Sequence, residues 1–273
     1  MSAPTAAITA PSGHRASAVR DTATLAGRIL THWRQRPVSI LLGFLFPVLM
    51  VLMFGYLFGG AMSLPGGDYM DFLIPGMLTM TMLFGLESLV VSVAHDTAKG
   101  VTERIRSLPV GTAPALAGRS AADMLNALVG LAVMIGTGLL VGWRPERGLA
   151  PALAAAGLLL WLRWAFTWVG VHLGLLLRTP ESAVAVQVVV WPVGFLSSVY
   201  VSPDTMPGWL GAIATWNPLT ATATAIRELF GNPGWNTGGW AADHAIALAL
   251  IWPALLTLVF VPLACRQYGA LAN

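Results

Sequence analysis

The sequence predicts an all-α polytopic membrane protein with six transmembrane helices. Hydrophobic residues fill 56% of its 273 positions and charged residues only 10%, whereas a soluble domain carries about 25% charge. Mean hydropathy is +0.72. Six apolar runs each approach the ~20 residues that a helix needs to cross a bilayer, at about 38–59, 72–94, 120–142, 151–177, 182–201 and 241–263.

Residues 1–20, MSAPTAAITAPSGHRASAVR, hold no continuous apolar stretch and no clear cleavage site, so they read as a disordered cytoplasmic tail and not as a signal peptide. From Asp21 the pattern changes. Leu25, Ile29 and Trp33 recur at i, i+4, i+8, with Arg28, Arg34 and Arg36 supplying positive charge. That is an amphipathic helix suited to the membrane surface and ended by Pro37; a solvated extension of the first span is the alternative.

With the N-terminus inside, the cytoplasmic segments hold Arg15, Arg20, Arg28, Arg34, Arg36, Lys99, Arg104, Arg106, Arg119, Arg178 and Arg266. The outside holds only Arg144, Arg147 and Arg227. This bias satisfies the positive-inside rule and puts both termini in the cytoplasm of a multi-pass cell-membrane protein.

Between the second and third spans lies HDTAKGVTERIRSLPV, His95 to Val110, the densest cluster of titratable residues in the chain. Val101, Ile105 and Leu108 recur at i, i+4, i+7 opposite Lys99, Glu103 and Arg106, which describes a short amphipathic helix stopped by Pro109. A helix resting on lipid headgroups explains the apolar stripe but not Asp96 and Glu103, which anionic lipid repels. A helix docked into a groove on a cytoplasmic partner explains both faces.

After the fifth span, residues 201–236 are too long for a turn and too apolar for a free loop. Leu210, Ile213 and Ala214 mark one short helix; Leu219, Ala223, Ile226, Leu229 and Phe230 mark a second, separated by Asn217-Pro218. Two arrangements fit. The helices dip back into the outer leaflet as re-entrant elements, or they form a cap anchored on the headgroups by Trp209, Trp216 and Trp235.

Several chemistries have no support. There is no GxxxxGK[ST] loop for a nucleotide, and the five histidines form no HExxH or i, i+4 pair. There is no GxSxG elbow. Cys265 is the single cysteine, which rules out an intrachain disulfide and a cysteine metal cage. No catalytic, cofactor-binding or metal-ligating residue is therefore assigned in this chain.

With this layout in hand, the chain resembles the permease subunits of type-2 ABC exporters, close to the daunorubicin-resistance-type branch. KGVTERIRSLPV is similar to the family's cytoplasmic signature, with Gly100, Glu103, Arg104 and Pro109 on the usual positions. LLLRTPESAVAV, around Arg178 to Glu181, is the second similar segment. The third is FLSSVYVSPDTMPGWLGAIATWNPLTATATAIRELFGNP, with Met206-Pro207 and Asn217-Pro218 as landmarks of the outer re-entrant region, so that these four residues form the implied outer gate. The resemblance implies a transmembrane domain over 21–273 that exports an amphipathic lipid, antibiotic or other hydrophobic compound. It also implies two separate ATP-binding subunits, where ATP and Mg bind, and a second permease chain, a copy or a relative. It further implies that Asp96, Lys99, Gly100, Glu103, Arg104 and Arg106 couple this chain to those motors. The competing class is an ion-coupled secondary transporter or intramembrane enzyme without an ATPase, for which Glu87 is the acidic residue suitably deep in a span.

Four weaker signals complete the reading. Gly55/Gly59 and Gly170/Gly174 permit close helix approach, inside the chain or between copies. Arg119, Asp123, Asn126, Gly130 and Thr137 share one face of the third span, either lining a polar path or leaving Arg119 and Asp123 as an i, i+4 pair. Thr179-Pro180-Glu181 fits a helix start. Arg163, mid-way along the fourth span, is costly there unless it finds a partner. Thr167, Gly170 and Gly174 share its face and Trp161, Trp164 and Trp168 lie opposite, so Arg163 is expected to face protein and the tryptophans lipid. Glu87 is its expected acid, about 10 Å offset at the helical rise. Glu87, Asp123 and Arg163 are the candidate pathway residues.

Overall fold

Apolar runs of this length satisfy their backbone in hydrocarbon only as helices, and the computed structural model is built from them. It describes residues 37–59, 68–100, 112–232, 234 and 238–270. The tail at 1–20 and the surface helix around Leu25 to Trp33 lie outside the described residues. The elements are α1 (Pro37–Phe58), α2 (Tyr69–Ala98), α3 (Thr112–Leu140), α4 (Leu149–Leu177), α5 (Pro180–Phe195), a 3-10 turn (Pro203–Thr205), α6 (Gly208–Thr215), α7 (Pro218–Phe230), α8 (Trp240–Asp243) and α9 (Ala245–Ala270). No strand occurs among the described residues.

Among the described residues, four helices are long and apolar enough to cross a bilayer, namely α2, α3 over Leu116–Leu140, α4 and α9. Gly43–Leu57 of α1 and Glu181–Phe195 of α5 are shorter apolar helices. The run expected at 182–201 stops being helical at Phe195. Pro192 lacks an N–H, and the Ser197 hydroxyl donates to Gly194 O at 2.5 Å, competing with further helical turns.

The helix starts and stops follow local chemistry. Asp68 caps α2 by accepting from Met70 N, and Gly100, at φ +64°, follows the Lys99 C-cap. Thr179 accepts from Ser182 N with Pro180 in the first turn, as the Thr-Pro-Glu pattern predicts. Asn217 caps α7 ahead of Pro218, and Gly231 at φ +78° ends it. The two short helices expected after the fifth span are thus present as α6 and α7, broken at Asn217-Pro218.

Of the long helices, α2, α4 and α9 run parallel to one another and α3 antiparallel to them, with Trp143 near one end of the bundle and Arg119 near the other. α2 is the innermost: 61% of its most apolar window is buried, against 17% for α9. It packs on α1, α3, α4, α5 and α7, while α4 lies between α2 and α9. Toward the Trp143 end, Phe72, Met77 and Leu78 join Leu159 of α4 and Leu219 and Ile226 of α7 in one core. Toward the Arg119 end, Leu89 and Val93 meet Leu116, Val171 and Tyr268.

Glycines set the α2–α4 distance. A Cβ at Gly174 would collide with the Val93 side chain and sit 2.9 Å from Val90 O; one at Gly170 would lie 3.1 Å from Leu89 Cδ2. A Cβ at Gly55 would likewise meet Met70 of α2. Both small-residue pairs therefore serve packing inside this chain. The tryptophan stripe of α4 corrects the expectation that it faces lipid. Trp168 is buried against Trp164, and Trp161 Nε1 donates to Leu250 O of α9 at 3.1 Å. α9 covers that face.

Candidate functional site

Three helices bring their polar residues to one buried point. Arg163 of α4 is 2% exposed and forms an ion pair through Nη2 with Asp123 of α3. Its Nη1 donates to Met82 O of α2 at 3.1 Å, using the spare lone pair of a helical carbonyl. Thr167, one turn along α4, donates to Asp123 Oδ2 at 2.5 Å, with Arg163 O 2.9 Å away. Gly85 makes the space, since a Cβ there would fall on the Arg163 guanidinium. Arg163 faces protein with Thr167, Gly170 and Gly174, as its helical spacing predicts, but its acid is Asp123 and not Glu87. The two carboxylates lie on different helices, and only α3 brings one within reach without an axial offset.

Glu87 instead accepts a hydrogen bond from Gln187 Nε2 across the α2–α5 seam, half-buried. Asp123 is also not paired with Arg119. Arg119 Nη1 binds Asp96 Oδ2 at 2.7 Å, and Nη2 donates to Ser92 Oγ at 3.0 Å, so this pair ties α3 to the last turns of α2. Two more residues of the proposed polar face of α3, Gly130 and Thr137, serve packing and the helix itself. A Cβ at Gly130 would lie 2.9 Å from Phe44 of α1, and Thr137 donates to its own helix at Val133 O.

The coupling candidates divide. His95 to Ala98 are the last turn of α2, so Asp96 belongs to that helix and not to a separate connector. Lys99 is its exposed C-cap, and Gly100 follows. Glu103, Arg104 and Arg106 lie outside the described residues, as does the amphipathic stripe Val101, Ile105 and Leu108.

At the Trp143 end, Asn217 ties two elements together. Its Nδ2 donates to Val193 O at 2.8 Å and to Leu196 O at 2.7 Å, while its Oδ1 accepts from Leu219 N. Ser198 N donates to Thr220 Oγ1 at 3.0 Å. The end of α5 is thereby stitched to the start of α7. Met206 and Pro207 flank the turn into α6, with Gly211 N donating to Pro207 O at 2.9 Å.

Arg227, which the sequence analysis only counts among the outside charges, is a buried structural residue. It is 2% exposed beneath α2, with its guanidinium carbon 3.8 Å from the Phe72 ring centroid. Nε donates to Phe72 O, Nη1 to Ser198 O and Nη2 to Val199 O, each at 3.1 Å. These carbonyls include those freed where α5 ends, and backbone that leaves the helix in an apolar setting needs such donors. The one signal in the sequence is its place on the α7 face one residue after Ile226. No group of three or more metal-ligating side chains occurs among the described residues.

The ABC-2 type transporter family profile matches residues 21–230. The chain is 35% identical over 255 residues to the daunorubicin resistance ABC transporter permease protein DrrB1 of Streptomyces coeruleorubidus, covering 93% of this chain and 88% of that protein. It is 25% identical over 255 residues to the probable doxorubicin resistance ABC transporter permease protein DrrC of Mycobacterium tuberculosis, with 90% and 87% covered. To the putative transport permease ycf38 of Cyanophora paradoxa it is 28% identical over 224 residues, with 80% and 76% covered.

Proposed function

The chain belongs to the ABC-2 type transporter family and is an ABC transporter permease; from that premise we propose that it exports an amphipathic lipid, antibiotic or other hydrophobic compound. Two separate ATP-binding subunits, holding ATP and Mg, drive it from the cytoplasm, and a second permease chain completes the assembly. In this reading α1 and α5 join the four long helices as spans, both termini are cytoplasmic, and α6 and α7 are re-entrant elements over the exit. Asp96, Lys99, Gly100, Glu103, Arg104 and Arg106 grip the motor. Two of the relatives are drug-resistance permeases, which supports the export of a hydrophobic compound.

The observation that carries the coupling role is the Asp96–Arg119 pair at 2.7 Å. It closes the ends of α2 and α3 on each other, so that a force on the connector at 101–111 is delivered to both helices together. Glu103 and Arg104 supply charge-assisted hydrogen bonds to the motor, each worth about 1.5–3 kcal/mol when shielded from water. The test is co-expression with the ATP-binding subunit and measurement of substrate-stimulated ATPase in lipid. Glu103→Ala weakens assembly or uncouples hydrolysis from export while the membrane fold stays intact. Wild-type complex stability with wild-type export removes Glu103 from the contact.

A further inference from the structure

α4 and α9 lie side by side, and toward the Arg119 end two of their polar side chains meet. His172 of α4 and Gln267 of α9 are both half-buried. The Gln267 amide fits one way round: Nε2 donates to His172 Nδ1 at 2.7 Å and to His172 O at 3.2 Å, and Oε1 accepts from Leu176 N at 3.0 Å. The reverse orientation would set acceptor against acceptor and donor against donor. Nδ1 is therefore an acceptor, and His172 is the neutral tautomer with its hydrogen on Nε2. The Phe260 ring of α9 meets the imidazole in a T-shaped contact, 5.6 Å between centroids.

A proton on Nδ1 breaks this arrangement. With the amide as it stands, Nδ1–H and Nε2–H point at each other. Turned over, Oε1 accepts from Nδ1–H, but it then faces His172 O, and Nε2 faces Leu176 N–H. One bond is gained and the two backbone bonds are lost. The contact is therefore complete at high pH and comes apart as the pH falls. The surrounding charges are exposed to solvent or lie on the other side of α4. Arg266 beside Gln267, Arg178 at the end of α4 and Glu181 at the start of α5 are exposed. Gly170 and Gly174 turn toward α2, so His172 points away from that helix's His95 and Lys99 and from the Asp96–Arg119 pair. The other titratable neighbours on α9, Cys265 and Tyr268, pack in the apolar cluster of Leu89 and Val93.

The backbone of α9 lets one end move without the other. Pro253 and Pro262 lie inside the helix, and Pro262 leaves Leu258 O without its helical N–H. A second polar tie to α4, from Trp161 Nε1 to Leu250 O, lies beyond both prolines. Residues 263–270 thus form a short helical arm after Pro262. It is held on α4 by the His172–Gln267 contact, with Ala264 and Tyr268 in one cluster with Leu89, Val93 and Leu116.

We propose that His172 and Gln267 are a proton-released clasp, by which acid on this side of the membrane frees the arm at 263–270 to swing at Pro262. That this side is the cytoplasm rests on the permease reading; the clasp itself does not. The freed arm withdraws Ala264 and Tyr268 from the ends of α2 and α3, where the connector at 101–111 joins them, so a fall in pH reaches the coupling end of the bundle.

The full chain in phosphatidylcholine nanodiscs is compared at about pH 8 and about pH 5.5, either side of the range in which histidine titrates. Hydrogen exchange of residues 263–270 is corrected for its intrinsic pH dependence and referred to the buried part of α2. Protection of the arm is expected to fall about tenfold in acid, the equivalent of about one buried hydrogen bond, while α2 stays unchanged. His172→Asn keeps an acceptor near the position of Nδ1 and takes up no proton, so its arm stays protected at both pH values. Gln267→Glu offers an acceptor to Nδ1–H, and its arm keeps its protection in acid. Nitrogen NMR of the histidine-labelled chain at about pH 8 should show Nδ1 of His172 without hydrogen. Wild-type protection that does not change with pH overturns the proposal, and so does an equal acid loss in His172→Asn or a hydrogen on Nδ1 at about pH 8. The wild-type comparison needs no variant, so a substitution that fails to fold does not shield the clasp. Nanodiscs expose both faces, which keeps this outcome separate from the permease reading: that reading fails if the chain assembles with no ATP-binding subunit.

Discussion

Removing Asp123 leaves Arg163 2% exposed with Met82 O at 3.1 Å as its remaining hydrogen-bond acceptor and with Nε already lacking a partner. Breaking a buried pair from one side costs about 3–5 kcal/mol, because the surviving charge stays desolvated. Asp123→Leu and Arg163→Met are each expected to lose that much. Asp123→Leu with Arg163→Met replaces both charges by apolar groups of similar bulk, which for buried pairs ranges from neutral to about 1–4 kcal/mol stabilising. The double variant therefore recovers most of what the singles lose, and the coupling energy is several kcal/mol, far beyond the ~0.5 kcal/mol within which independent sites add. The assay is reversible unfolding of the full chain in bicelles, followed by Trp fluorescence, for the four members of the cycle. Additive single losses refute the pairing, as do singles costing under about 1 kcal/mol, the value of a solvent-exposed pair. Export by the complex adds a second readout. Because Arg163, Asp123 and Thr167 bond one another inside a single chain, a stable double variant is expected to export normally; a stable double variant that fails to export returns these residues to the substrate path.

Gly85→Ala puts a methyl on the Arg163 guanidinium, which Met82 O and Asp123 hold from two sides, and should cost about 1–3 kcal/mol by overpacking. In an Arg163→Met background that penalty should shrink, and an equal penalty in both backgrounds contradicts the assigned contact. Gly174→Ala presses on Val93 and on backbone at Val90 O, so it should destabilise by a similar ~1–3 kcal/mol whatever stands at 163, read by the same titration. Asn217→Ala removes the α7 cap, worth about 1 kcal/mol, and strands the carbonyls of Val193 and Leu196 at about 1–3 kcal/mol more. Hydrogen exchange should then rise at Leu219 and the first turn of α7 before the rest of the bundle; uniform exchange contradicts the stitched junction.

Much of the architecture was legible in local sequence. The apolar runs placed the long helices because hydrocarbon leaves the backbone no other way to satisfy itself. Thr179-Pro180 and Asn217-Pro218 placed helix starts, because a cap followed by a residue that needs no N–H partner is a short-range arrangement. The spacing of Arg163, Thr167, Gly170 and Gly174 also told which way the arginine points. Partners were another matter. Asp123 is 40 residues from Arg163, and Asp96 is 23 residues from Arg119. Which acid each arginine meets depends on the axial register and rotation of helices that the sequence places but does not dock. Arg227 was no more than one of three outside charges until α7 was laid under α2. The tryptophan stripe of α4 looked lipid-facing until α9 covered it. In a soluble protein the polar face of a helix reports which side is buried. Lipid is as apolar as leucine, so here that contrast vanishes, and packing of glycines, rings and buried charges alone decided how the helices meet.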